Sequence, residues 1–344
     1  IKAIRESSFM SVTLKDIAKA AGVHQTVVSV VLNNKKYTRV SPERREYIRR
    51  IAEEMGYRPN LQAVSLRRRK RATVGVFLPP WRDVLLLELI KGLADGSNRY
   101  EIPLTYHFGM TADSYCSFID SMTSFQHTGI ISYVPFWDRE YERILSKLEE
   151  YMGSGGKIIS LNTLKWPMKK TITLDIDDEA GGRLAADYLL RVDPASYAVF
   201  SSATLTHDLR EYAFCGRIRG KKSEADLSVF HVAENELRRE FILPEIDRML
   251  DQMKRPAGMM TVCTEFTGLI LTSCEKRGWK YGADFELVGY DFAPRYGDYI
   301  QVPRVVQPFR EMGSLAMDKL YHLLLGDEVQ SEILKPILQT GEEI

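Results

Sequence analysis

From Thr73 onward the chain becomes a succession of short apolar runs: TVGVFLP at 73–79, TGIISYV at 128–134, GKIISLN at 156–162, SYAVFSS at 196–202, LSVFHV at 227–232, AGMMTVC at 257–263 and FELVGYD at 285–291. Each is rich in β-branched and aromatic residues. Several are apolar throughout, as a strand covered on both faces must be. Helical patterns such as DDEAGGRLAADYLLRV and TGLILTSCEKRG separate most of them. That alternation predicts parallel sheets with helices on both faces. About nine or ten strands are expected in all, and these divide better between two lobes than they fit in one sheet. The lysine-ending loop GSGGK at 153–157 lacks the spacing of a phosphate loop and precedes a strand, so it reads as a helix-ending turn. With no P-loop, no G-x-S-x-G elbow and no dinucleotide fingerprint, the body does not read as an enzyme and no cofactor is expected.

Charge divides the chain at the same place. The net charge is +1, yet residues 1–71 hold 17 Lys and Arg against 6 Asp and Glu, and the rest is acidic in balance. A basic segment is either a solvated face or a polyanion-binding one, which gains affinity by releasing condensed counterions from phosphates. Within it, TLKDIAKA places Thr13 three residues before Asp16, a capping-box start, and Gly22 ends the helical pattern. A second helix runs from about His24 to Leu32, giving the helix, Gly-containing turn, helix layout of a helix-turn-helix unit. SPERREYIRRIAEEMG follows, with Ser41 as cap, Pro42 at the first helical position, Gly56 as stop and an inner stripe of Tyr47, Ile48, Ile51 and Met55. At 100° per residue, Val28, Val31 and Leu32 of the second helix face the first, while Thr26, Val30 and Asn33 lie outside and Gln25 projects from the amino-terminal end. In a major groove Gln25 would bond an adenine edge and Val30 would touch a thymine methyl. Asn60 caps a short helix that needs a partner to be stable, and RRRKR at 67–71 is a charged linker.

The segments TLKDIAKAAGV, VVSVVLN, SPERRE, EEMGYRPN and SL resemble the amino-terminal region of the lactose-repressor/galactose-repressor family of bacterial transcription regulators. Looser similarity continues through DIDDEAGGRLAADYLL, ELVGYD and VVQPFREMGSLAMDKLYHLL. The resemblance implies an all-α helix-turn-helix head over 11–57, a hinge helix and linker over 58–71, and an α/β two-lobed, periplasmic-binding-protein-like body for effector binding and dimerisation over 72–344. It implies a homodimer on double-stranded operator DNA, with Thr13, Gln25, Thr26, Ser29, Val30, Asn33, Tyr57 and Asn60 as DNA-contacting candidates. Leu66 is the matching wedge into the minor groove, where unstacking is repaid by a bent, better-contacted duplex. The chain departs from the family at His24, where a small polar cap is usual, and at Val27 and Val30. It also departs at Val64 and at an apparent insertion of Thr38 and Arg39. These changes imply a different operator preference.

The same resemblance implies a small-molecule effector in the cleft, beyond the carboxyl ends of strands, and a carbohydrate is the first expectation. Arg210 and Asp291 match polar effector-binding positions, with lobe-stabilising ion pairing as the other reading of each. Asn162, Tyr133, Phe309, Trp81 and Trp137 follow other strands and supply an amide and aromatic faces, or else ordinary packing. Cys263 and Thr264 stand where relatives commonly carry an Asn-Asp pair. Cys116, Cys215, Cys263 and Cys274 have neither C-x-x-C spacing nor histidine partners, so buried reduced thiols are expected and a metal site is not. No apolar run reaches membrane-spanning length, and IKAIRESSFMSV at the start is too polar for a signal peptide, so the chain is expected in the cytoplasm. A solute-binding protein on the same two-lobed fold is the alternative, but it would carry an export signal and no basic head.

Overall fold

Thr13 opens the first helix, α1 (Leu14–Ala21), through the expected capping box. Its Oγ1 accepts from the Asp16 amide at 3.3 Å, and Asp16 Oδ2 accepts from the Thr13 amide at 2.9 Å. Gly22 ends the helix in the left-handed region at φ 62°, a conformation that favours glycine. α2 (Gln25–Leu32) and α3 (Pro42–Glu54) complete the head. Its core is Ile17, Ala18, Ala21, Val28, Val31, Ile48 and Ala52, flanked by Val27, Leu32, Ile51, Met55 and Tyr57. Tyr47 departs from the expected inner stripe. It is 37% exposed and lies between the guanidinium groups of Arg44 and Arg50, at 5.5 and 5.7 Å from its ring centroid. Ala52 takes the buried place instead. The computed structural model describes residues 12–32, 40–55, 57, 73–81, 84–124, 129–135, 140–163, 171–202, 205–232, 238–291 and 302–340. Asn33, Asn60, Leu66, Trp137 and the linker over 58–71 lie outside them.

The body begins with β1 (Val74–Leu78), α4 (Val84–Tyr100), β2 (Leu104–Phe108), α5 (Ala112–Ser124), β3 (Gly129–Tyr133), α6 (Tyr141–Gly153), β4 (Lys157–Leu161) and β5 (Ile172–Ile176). The chain then crosses to a second lobe made of α7 (Asp178–Val192), β6 (Ser196–Ser202), α8 (Leu205–Lys221), β7 (Leu227–Val232), α9 (Arg239–Gln252), β8 (Ala257–Thr261), α10 (Thr264–Lys276), β9 (Phe285–Tyr290) and β10 (Arg304–Val306). It returns to the first lobe with α11 (Phe309–Leu325) and β11 (Glu332–Leu334), and crosses once more to β12 (Ile337–Gln339). The first sheet has the order β11-β5-β4-β3-β1-β2 and the second β12-β10-β9-β8-β6-β7. The pairings are parallel except that of β10 with β12. All seven apolar runs are strands. GSGGK is the predicted turn, with α6 ending at Gly153, Gly155 at φ 95° and β4 starting at Lys157.

After the second of the three passages between the lobes, α11 packs against α4, which is distant in sequence. There Tyr100 and Tyr321 stack at 3.9 Å, and Arg99 pairs with Asp318 at 2.7 Å and Arg310 with Asp95 at 3.0 Å. No helix among the described residues is long and apolar enough to cross a membrane.

Candidate functional site

The outer surface of α2 is built from its start. His24 takes the capping position, and its Nδ1 accepts from the Thr26 amide at 3.4 Å and sits 3.0 Å from Thr26 Oγ1. An imidazole thus replaces the usual small cap, and it engages the Thr26 hydroxyl. Val28 and Val31 are fully buried, which fixes the helix rotation and turns Gln25 and Thr26 outward. Val30 and Ser29 are half-exposed, and Val30 does not join the head core. Thr13 is exposed but bound up in its capping box. Tyr57 is half-buried against the core, its amide donating to Ala52 O at 2.8 Å. The Arg44 guanidinium donates to Ala21 O, tying α3 to the end of α1. This arrangement presents a short amide-, hydroxyl- and methyl-bearing ridge on a basic head, which is the chemistry of base-edge reading.

The second candidate site lies where the strands of the second sheet end. Arg210, in the second turn of α8, is 5% exposed. Its Nε donates to Asp178 Oδ1 at 2.7 Å, Nη1 to Val262 O at 2.7 Å and Nη2 to Gln307 Oε1 at 2.8 Å. The Tyr290 ring covers its face at 4.2 Å. Gln307 in turn donates its backbone N–H to Asp291 Oδ1 at 2.8 Å and its side-chain amide to Asp291 Oδ2. Arg210 and Asp291 are therefore linked through Gln307, with every guanidinium nitrogen donating to a protein acceptor. Burial lifts the Asp178 carboxyl above the ordinary carboxylate range, and Arg210 beside it opposes that rise.

All three interlobe passages meet this network. Asp178 follows the first, Gln307 begins the second, and Asp177, adjoining Asp178, donates its amide to Leu334 O at the third. Close approach of α7 and α8 makes the contact possible. A Cβ on Gly182 would stand 2.2 Å from Arg210 O, and one on Gly181 1.8 Å from Tyr290 Oη. Gly182→Ala is expected to force α8 outward and lower unfolding free energy by about 1–3 kcal/mol, read by urea denaturation.

Near Arg210, His207 bonds Ser202 Oγ at 2.6 Å through Nδ1. Burial first and Arg210 second push its imidazole down to about 3 from the ordinary 6.5. The folded state thus binds fewer protons than the unfolded one between these values, so this contribution to stability is full above about pH 6.5 and is lost as pH falls toward about 3. His207→Asn should flatten the loss of stability between these pH values in urea titrations, and an unchanged acid limb would count against the assignment.

In the first lobe, Trp81 meets Tyr133 edge-on at 5.0 Å. Tyr133 and Phe309 are 4% and 2% exposed and belong to the core, so they pack rather than offer a stacking face. Asn162 follows β4 at φ 49° with its Oδ1 buried and without a partner. Cys116, Cys215 and Cys274 are buried free thiols as expected, while Cys263 is half-buried. The described residues hold no group of side chains suited to a metal ion. Asp178 and Gln307 were not among the sequence candidates. The signal for Asp178 was present, because the buried stripe Gly181, Gly182, Ala185, Ala186 and Leu189 extends back one turn to it.

The family model for bacterial regulatory proteins of the lacI family matches residues 13–60. Over 334 residues the chain is 25% identical to catabolite control protein A of Priestia megaterium, covering 95% of this chain and 96% of that one. The lac repressor dimer bound to operator and the anti-inducer ONPF aligns with a TM-score of 0.63 and 19% identity over 95% of this chain and 97% of that one. The complex of the transcriptional regulator CelR with cellobiose aligns at 0.64 and 18% over 96% and 98%.

Proposed function

We propose that a small molecule held between the two lobes sets the operator affinity of this chain, which belongs to the lacI family of bacterial regulatory proteins and is a sequence-specific DNA-binding transcriptional regulator rather than an enzyme. The observation that carries the DNA-reading half is the division of α2, with Val28 and Val31 buried and Gln25, Thr26 and Val30 turned out. Gln25 and Val30 read bases. Thr13, Ser29, Tyr57, Asn33 and Asn60 position the head, and Leu66 is the minor-groove wedge. The chain acts as a homodimer in the cytoplasm, and the lac repressor relative is a dimer on its operator.

The effector half rests on a polar network placed where ligands of open α/β sheets bind, at the carboxyl ends of the strands. A carbohydrate is the first candidate, since the CelR relative is a complex with cellobiose. Coupling requires that the molecule bind the DNA-competent and DNA-incompetent lobe arrangements unequally. The alternative, a solute-binding protein without a regulatory role, does not account for the basic helix-turn-helix head.

The test is selection of bound duplexes from a random pool, repeated with candidate sugars. A two-fold-related consensus whose recovery changes with one sugar supports the proposal, and recovery of unenriched sequence overturns it. Leu66→Ala should weaken specific binding by far more than non-specific binding, and equal losses would remove the wedge.

A further inference from the structure

The cap of α2 bears on which bases the helix accepts, and this inference rests on the DNA-reading half of the proposed function. His24 O accepts from the Val27 amide at 2.9 Å and the Val28 amide at 3.4 Å, so His24 is the residue that opens the helix. Its ring turns back over the first turn, with Nδ1 3.4 Å from the Thr26 amide nitrogen and 3.0 Å from Thr26 Oγ1. The Thr26 N–H is one of the helix-opening donors that have no intrahelical acceptor, and an N–H only donates. The Nδ1 lone pair therefore faces it, and the proton of the neutral imidazole sits on Nε2. With Nδ1 an acceptor, the hydrogen of the Thr26 hydroxyl is directed to it as well.

That arrangement fixes the polarity of Thr26. A free threonine hydroxyl rotates to suit its partner and reads donors and acceptors of the major groove alike. Here its hydrogen is held by Nδ1, and Oγ1 has no other hydrogen-bond partner among the described residues, so it offers lone pairs outward. His24, Gln25 and Thr26 are all exposed, whereas Val28 and Val31 of the same helix are buried. In the groove, adenine N6 and cytosine N4 present amino hydrogens, while guanine O6 and thymine O4 present lone pairs. A hydroxyl that only accepts bonds the first two and opposes the others. Histidine is not among the favoured caps, so capping alone does not account for the ring.

We propose that His24 is a positioning residue for base reading: it holds the Thr26 hydroxyl as an acceptor, so that Thr26 selects a base by its amino group, A or C on the contacted strand over G or T. At that pair the chain distinguishes A·T from T·A and C·G from G·C, yet tolerates exchange of A for C.

The experiment uses the full chain and selection of bound duplexes from a random pool, first with the wild type and then with Thr26→Val, which removes the hydroxyl and keeps the shape. The position whose preference changes is the one Thr26 faces. There the wild type should group A with C on one strand. Replacing adenine at that position by purine, which lacks the amino group, should weaken binding by about tenfold. His24→Ser keeps a cap and frees the hydroxyl. Gel shifts on the selected operator and on its version with that pair reversed should show the preference reduced about tenfold, with the melting temperature unchanged. In a Thr26→Val background, His24→Ser should leave the preference at that pair as it is, because the hydroxyl it positions is gone. A preference unmoved by Thr26→Val, or a grouping of A with T or with G, overturns the proposal. So does a His24→Ser loss that is equal on all sequences, or one that persists without the hydroxyl. Should His24→Ser fail to fold, the purine and Thr26→Val results decide. Recovery of no enriched sequence by the wild type would remove DNA reading itself, whereas an enriched consensus without coupling between His24 and Thr26 removes only the role of His24.

Discussion

Arg210→Ala is expected to destabilise the second lobe by about 3–5 kcal/mol, because it leaves a buried carboxylate with no cation. The Asp178 side chain is wholly shielded from water, and Arg210 is its ion-pair partner. The same truncation unpairs Val262 O and Gln307 Oε1. Urea denaturation of the variant and of Arg210→Ala combined with Asp178→Ala measures the effect. The double variant should recover more than half of the loss, since replacing both partners removes the uncompensated charge. A single-variant loss below about 1 kcal/mol would mean that the network is open to water and that the pair is a surface one. Loss of a ligand response in Arg210→Ala would report collapse of the network at the interlobe passages as readily as loss of a contact. Asp178→Asn, which keeps a hydrogen-bond acceptor for Nε, is the cleaner probe of the cleft.

The network at the interlobe passages also lies where sequence reading stops. Runs with an apolar centre such as SYAVFSS were legible as strands because both of their faces are buried, and every residue of β6 is. β2 was not, since it is an edge strand whose LTYHF is only partly covered, and β10, β11 and β12 are three residues each, too short to show a period. Capping chemistry was legible because it is local: Thr13 with Asp16 and Ser41 with Pro42 act within a few residues. Tyr47 was misplaced because helical period alone does not decide between two adjacent stripe edges. Here the flanking arginines hold the ring at the surface while Ala52 fits the tight core. Arg210 and Asp291 were singled out by resemblance. Their connection through Gln307, and the capture of Arg210 by Asp178, come from the three chain passages that bring residues 178, 210, 262, 291 and 307 together. No pattern within one segment encodes that meeting.

Val28→Asp should reduce operator binding to its non-specific level, a loss of about a thousandfold or more. Val28 is fully buried against Ile17, Val31 and Ile48, and an unpaired carboxylate there costs more than a core this small supplies. The head should unfold while the body keeps its own urea transition, because the two six-stranded sheets and their cores contain no head residue. Val30→Ala makes the opposite case two residues along the same helix. Val30 lies outside the head core, so thermal stability should stay within about 0.5 kcal/mol of the wild type. Its effect should fall on sequence preference, with discrimination at one base pair relaxed by about 1–3 kcal/mol where the side chain meets a thymine methyl. Gel-shift titration on a selected operator and on single-base variants separates the two outcomes. Were Val30→Ala to weaken binding equally on all sequences, Val30 would be a backbone-side residue, and α2 would enter the groove by a different face.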